Sequence, residues 1–333
     1  MFESIPVFSQ LDDWPLAHCS TLTALADGTL LCAWFGGAYE TAPDVAILAS
    51  RREPGAAAWS EPKVIASVPG LSLGQPVFLP RPDGELWLFF DVIMQTDWTS
   101  AVAHWQRSSD GGVTWSAPRE LMDMPGLMFR SKPLVLPGRI ILPAYDERAW
   151  QSRMLVSEDD GQSWRLTEPI VTPQGNIHPC VVPLSDGGRL LVYLRTGGSG
   201  GIIWRAESSD AGETWSKPTP TDIPNPNSGI DLIRLASRRL ALAFNDSPRL
   251  RTPLCVALAG EDERWLWTRT IEEEHAEYSY PTLLQTDETI HMVYTARREH
   301  IHYVRFDESW LLEGETTHEL AYQGRHRSSS DTV

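Results

Sequence analysis

The chain has 333 residues and a mass of 37.3 kDa, enough for one large domain or two ordinary ones, which excludes a fragment or a mini-protein. Lys and Arg number 28 against 44 Asp and Glu, a net charge of −16 with no basic run, which argues against nucleic acid or an anionic membrane as partner. The composition is ordinary at 42% hydrophobic and 22% charged, but 14 Trp and 25 Pro are high, so the architecture uses Trp repeatedly.

The opening MFESIPVFSQ has neither a basic stretch nor an apolar one, and no run approaches the ~18 apolar residues of a spanning helix. A soluble, cytoplasmic protein is the expectation. Cys19, Cys32, Cys180 and Cys255 lie far apart, without a CxxC pair and beside apolar runs, a pattern that predicts buried free thiols.

From the N-terminus onward, six apolar hairpins follow one another. They are TLTALADGTLLCAWF from Thr21, PVFLPRPDGELWLFF from Pro76, PLVLPGRIILPAY from Pro133, PCVVPLSDGGRLLVYL from Pro179, DLIRLASRRLALAF from Asp231 and PTLLQTDETIHMVY from Pro281. Each is two β-rich runs around a turn. In phase with them runs a second motif, S-x-D-x-G-x-(T/S)-W, clean at Ser108–Trp115, Ser157–Trp164 and Ser208–Trp215, its serines 49 and 51 residues apart. Worn copies end at Trp59, Trp265 and Trp310. A fixed period dictates architecture, and Gly/Pro punctuation with β-rich runs excludes a helical solenoid. The prediction is an all-β, six-bladed β-propeller of four-stranded antiparallel blades over residues 1–312, followed by a polar tail, 313–333. The final unit is short, so Ser4–Ser9 should complete its sheet.

In a propeller, chemistry gathers where the innermost strands begin. Those positions hold His18, Gln75, Arg130 with Lys132, His178, Asn227 with Asp231, and Tyr278 with Tyr280. Trp98, Met128 and Phe129 either stack on a ligand ring or pack between blades. Metal catalysis is disfavoured because His18, His178, His300 and His302 lack ligand spacing. No cofactor is implied, and the oligomeric state is not readable.

The three Asp boxes on a six-blade count resemble the sialidase (neuraminidase) superfamily and its wider group of BNR-repeat proteins. That resemblance implies that the box residues are structural, pinning turns between outer strands. It also implies a Tyr nucleophile at the start of the last inner strand, here Tyr280, with Tyr278 two residues before it. Arg195 and Arg251, with Arg249 as an alternative to the latter, match two arginines of the family's carboxylate-binding triad. His18 stands where the family has its first arginine, and His178 where it has the Glu that partners the Tyr. Glu40 and Asp44 flank the place of the acid/base Asp. The implied function is an exo-glycosidase for a terminal acidic sugar, with His178 activating Tyr280 and Glu40 or Asp44 protonating the leaving oxygen; His18, Arg130, Arg195, Asp231, Arg251 and Tyr278 would bind substrate. The substrate would be an acidic oligosaccharide or glycoside. A uronate lyase using the same His, Tyr and Arg groups, and a non-catalytic glycan-binding propeller, are the alternatives.

Overall fold

A computed structural model describes residues 1–316. It contains six small antiparallel sheets. Their innermost strands are Leu16–Ala24, Ser72–Pro80, a broken pair Leu127–Phe129 and Leu134–Leu136, Asn176–Pro183, Asp231–Arg234 and Tyr278–Thr286. In blades 1 to 5 the strands follow in chain order from centre to rim, whereas the rim strand of blade 6 comes from the N-terminus. Second strands such as Leu30–Gly37 and Leu86–Ile93 are buried along their whole length, because neighbouring blades cover both faces. Hence they read as continuous apolar runs rather than alternating ones. The core is divided among the seams: one apolar cluster joins blades 1 and 2, and others join each successive pair round to blades 6 and 1.

The Asp boxes form the turns between third and outermost strands. In the first box, Ser108 Oγ donates to Asp110 Oδ1 at 2.7 Å, and Asp110 accepts the Thr114 amide at 2.9 Å. Ser157–Asp159 and Ser208–Asp210 repeat the arrangement. All four cysteines are buried thiols, none in a disulfide.

Closure of the ring is made by the N-terminus, two residues earlier than expected. Phe2–Pro6, not Ser4–Ser9, pairs antiparallel with His300–Asp307 as the outer strand of blade 6, since the chain must leave the sheet after Val7 to reach the centre of blade 1. Trp310 sits in a five-residue helix, Glu308–Leu312, and stacks on Phe2 at 4.8 Å. Glu315–Thr316 then adds a short strand to the rim of blade 5; the rest of the expected tail lies outside the described residues. Deleting residues 1–8 removes the five-residue ladder and the burial of Val7 and Phe8, which are 3% and 7% exposed. At ~1 kcal/mol per hydrogen bond and ~1.5–3 kcal/mol per buried side chain, the loss is on the order of 5 kcal/mol or more. A thermal melt of the truncated chain is therefore expected several degrees or more below the full chain, and an unchanged midpoint would contradict this closure.

Candidate active site

Four inner strands carry the same distortion near their starts. In blades 1, 2, 4 and 6 the ladder register slips so that two residues face one: Cys19–Ser20, Gln75–Pro76, His178–Pro179 and Tyr280–Pro281. The first residue of each pair is left-handed, with φ of 58°, 50°, 52° and 54°. Such a bulge bends the strand and re-aims one side chain. For bulky residues, three of them followed by proline, the conformation is strained, and strain of this kind persists only where surroundings enforce it. Here it directs Gln75, His178 and Tyr280 toward one cavity on the axis, where His18 joins them. A Cβ on Gly229 would press to within 3.2 Å of the Tyr280 ring, so this glycine makes room for the tyrosine.

Arg195, closing the second strand of blade 4, organises the cavity. Its Nη1 donates to Tyr280 Oη at 3.0 Å and to His178 Nδ1 at 3.1 Å, while its Nε donates to Asn227 Oδ1 at 2.9 Å. Because a guanidinium can only donate, His178 Nδ1 accepts and its proton resides on Nε2, 3.3 Å from Tyr145 Oη. Tyr145 also accepts from Gln75 Nε2 at 2.5 Å. Burial, then Arg195 and the other arginines, holds the His178 imidazole well below its ordinary value, so it is neutral. His178 therefore supports Arg195; it does not hydrogen-bond Tyr280, whose ring centroid is 5.5 Å away. Replacing Arg195 with Met should move the His178 pKa upward, followed by NMR titration of the imidazole. An unmoved His178 would mean that the contact is electrostatically idle.

Cations dominate around Tyr280. The guanidinium carbons of Arg130, Arg251 and Arg195 lie 5.4, 5.6 and 5.7 Å from its ring centroid. Arg251 faces the cavity, whereas Arg249 is exposed outside it. Arg251 pairs with Glu277 at 2.6 Å, and Glu277 pairs with Arg298 at 3.0 Å. Burial pushes the Glu277 carboxyl up, but the two arginines hold it below its usual range. His18, 1% exposed, meets the Tyr280 ring at 4.4 Å and Thr295 Oγ1 at 3.1 Å through Nδ1; its Nε2 has no partner. Burial and the surrounding arginines keep His18 neutral as well.

Several expected site residues are elsewhere. Tyr278 does not line the cavity: the Tyr280 bulge breaks the strand alternation, and its ring packs on Tyr294 in the seam of blades 5 and 6. Asp231 faces the channel below, where it pairs with Lys132 and accepts the Leu283 amide at 2.6 Å, a strut between blades 3, 5 and 6. Arg130, 3% exposed, lies on the channel side of Tyr280, its guanidinium donating to the Pro281 carbonyl at 2.9 Å. Asp44 accepts the Ala38 amide and closes its own loop. Glu40 lines the cavity but is ion-paired with Arg298. Met128 and Phe129 are fully buried packing residues; Trp98 does line the cavity, lying so close over Gly74 that a Cβ there would overlap its ring.

Arg298, Glu147, Tyr145 and Trp150 also line the cavity and were not anticipated. Glu147 and Arg298 follow the second strands of blades 3 and 6, Arg139–Asp146 and Thr289–Ala296. Glu40 and Arg251 occupy the corresponding loops of blades 1 and 5. Scanning the residues after every second strand would have found all of these but Tyr145, which lies within one.

A six-bladed propeller with a tyrosine among guanidinium groups at its axial mouth defines the class. The sequence matches the BNR repeat-like domain over residues 28–292, and the chain belongs to that family. Among solved structures it is similar to a Hadza microbial sialidase (17% identity, TM-score 0.80, covering 92% of this chain and 69% of that one). It is also similar to the intramolecular trans-sialidase of Ruminococcus gnavus (16%, 0.77, 92% and 97%). A Dyadobacter fermentans protein of unknown function is likewise similar (18%, 0.76, 92% and 99%). At these identities the likeness establishes the fold.

Proposed function

We propose that the chain is a sialidase-like exo-glycosidase that hydrolyses a terminal, carboxylate-bearing sugar, with Tyr280 as nucleophile. The observation that carries this reading is the Tyr280 hydroxyl on Arg195, with Arg251 and Arg298 in the same cavity. A carboxylate nucleophile would be repelled by an acidic sugar, whereas a phenol is not. Guanidinium forks match a planar carboxylate. Arg298 supplies a third such group where His18 has replaced the one expected on blade 1. Against a net charge of −16, which opposes the approach of an anion, the arginines around Tyr280 supply the local attraction. The names of the sialidases it resembles support an acidic glycan as substrate.

His18 Nε2, free beside Tyr280, favours a second reading, elimination across a uronate, in which it would remove the proton α to the carboxylate. Incubation with aryl and alkyl glycosides of N-acetylneuraminic acid, glycosides of other 2-keto acid sugars and uronate oligosaccharides, read for reducing ends and for ultraviolet-absorbing unsaturated products, separates the readings. Hydrolysis of a 2-keto acid glycoside is the expected result. Unsaturated product would favour the lyase, and binding without turnover the non-catalytic alternative.

A further inference from the structure

We propose that Glu147 is the catalytic acid that protonates the leaving oxygen, in place of either carboxylate of the first-blade loop; this rests on the glycosidase reading above. The other carboxylates near the mouth are committed, and Asp91, which is fully buried, does not line the cavity. Glu40 is held by Arg298, Asp44 by the Ala38 amide, and Glu277 by Arg251, Arg298 and the Ser279 hydroxyl. Among the described residues, no hydrogen bond or ion pair engages the Glu147 carboxylate, although its backbone N–H is anchored to the Gly126 carbonyl at 2.8 Å. It lines the cavity two residues after Tyr145, so a strand of the scaffold positions it.

Its place in the ring is the second argument. Tyr280 comes from blade 6 and Glu147 from blade 3, which in a six-membered ring stand across the axis from each other. A sugar seated between them presents its anomeric carbon to one side and its leaving oxygen to the other, the flanking that a double-displacement glycosidase requires. Burial pushes the Glu147 carboxyl up to about 7, so at neutral pH a substantial share is protonated and able to donate.

In the first half-reaction the glycosidic C–O bond breaks, its electron pair stays on the leaving oxygen, and that oxygen takes the proton of Glu147. Tyr280 Oη bonds to the anomeric carbon and releases its phenolic proton to solvent. In the second, Glu147 as carboxylate takes a proton from water while the water oxygen bonds to the anomeric carbon. Tyr280 departs with the bonding pair and recovers a proton from solvent. The sum is glycoside plus water giving sugar plus alcohol.

The test compares kcat/KM of Glu147→Gln, Glu40→Gln and the parent on methyl and 4-nitrophenyl glycosides of the 2-keto acid sugar that the parent hydrolyses, N-acetylneuraminic acid being the first used. Methyl glycoside cleavage needs a proton and should fall ~10²–10⁴-fold in Glu147→Gln. The 4-nitrophenyl glycoside, with a good leaving group, should change less than about tenfold, which also shows that the variant is folded. The alkaline limb of the parent's pH profile on the methyl glycoside, set by Glu147, should vanish in the variant. Equal losses on both substrates, no loss on either, or the leaving-group signature in Glu40→Gln instead, would overturn the assignment while leaving the glycosidase reading intact. No turnover of any 2-keto acid glycoside by the parent would instead remove that reading and this inference with it.

Discussion

Tyr280→Phe is expected to abolish turnover of the acidic glycoside, by on the order of 10⁴-fold or more, while folding and ligand binding survive. The variant keeps the ring, and the ring is what the surroundings hold. The left-handed bulge at φ 54°, the edge of His18 at 4.4 Å and the close approach of Gly229 all act on backbone or ring atoms. What disappears is the 3.0 Å hydrogen bond from Arg195 to Oη. A charged hydrogen bond of this kind contributes ~1.5–3 kcal/mol, small beside the stability spread over six apolar seams. Arg195 keeps His178 and Asn227 as partners, so the anion-binding geometry should remain. The measurement is kcat on the hydrolysed glycoside beside calorimetric binding of the sugar acid. Full activity in Tyr280→Phe would mean that another group carries the chemistry, and loss of binding together with turnover would recast Tyr280 as a scaffold residue.

The protein should also be markedly acid-labile between pH 7 and 5, well above the range in which most carboxylates titrate. Among the described residues five histidines have depressed values, each through burial first: His18 and His178 far below the ordinary 6.5, His291 and His302 to about 4, and His300 more modestly. For a group depressed in the folded state, its stabilising contribution is complete above the unfolded value near 6.5 and drains away as pH falls below it toward the folded value. Three carboxyls act in the opposite sense. Asp91, with no exposure, is pushed far above its ordinary value by burial, Glu147 to about 7, and Glu272 upward. Their raised values favour the folded state as pH falls. Among the described residues the depressed imidazoles outnumber these raised carboxyls, so unfolding takes up protons net over this range and stability falls as the pH falls. The midpoint of thermal unfolding should accordingly drop by several degrees from pH 7 to pH 5. A flat or rising profile would show that the buried histidines are protonated in the folded protein and that the neutral assignment of His178 is wrong.

The architecture was legible because a propeller repeats its signal. Three boxes about fifty residues apart and six hairpins specify blade number and strand order, since each turn motif makes its own hydrogen bonds within a few residues, as Ser108 and Asp110 do. The placement of His18, His178 and Tyr280 at the mouth could be inferred from strand starts for the same reason, and that of Arg195 and Arg251 from the family resemblance. The failures arose where local periodicity breaks. Tyr278 and Tyr280 would share a face in a regular strand, but two residues facing one at the bulge send Tyr278 into a seam. Asp231 and Arg130 begin or adjoin inner strands as expected, yet they are drawn to the channel by partners at Lys132, Leu283 and Pro281.

By itself, then, the sequence determined the six-fold sheet repeat, the buried thiols and the concentration of polar side chains at one end of the ring, because apolar period, turn chemistry and spacing are local properties of the chain. Which carboxylate stays uncommitted, which arginine holds the tyrosine oxygen and which histidine nitrogen carries the proton were decided only by tertiary structure. Those properties depend on pairings such as Arg298 with Glu40 and Arg195 with Tyr280, 258 and 85 residues apart in the chain, and on burial that exists only once the blades close. Charge and hydrogen-bond commitments between distant residues leave no periodic trace in a sequence.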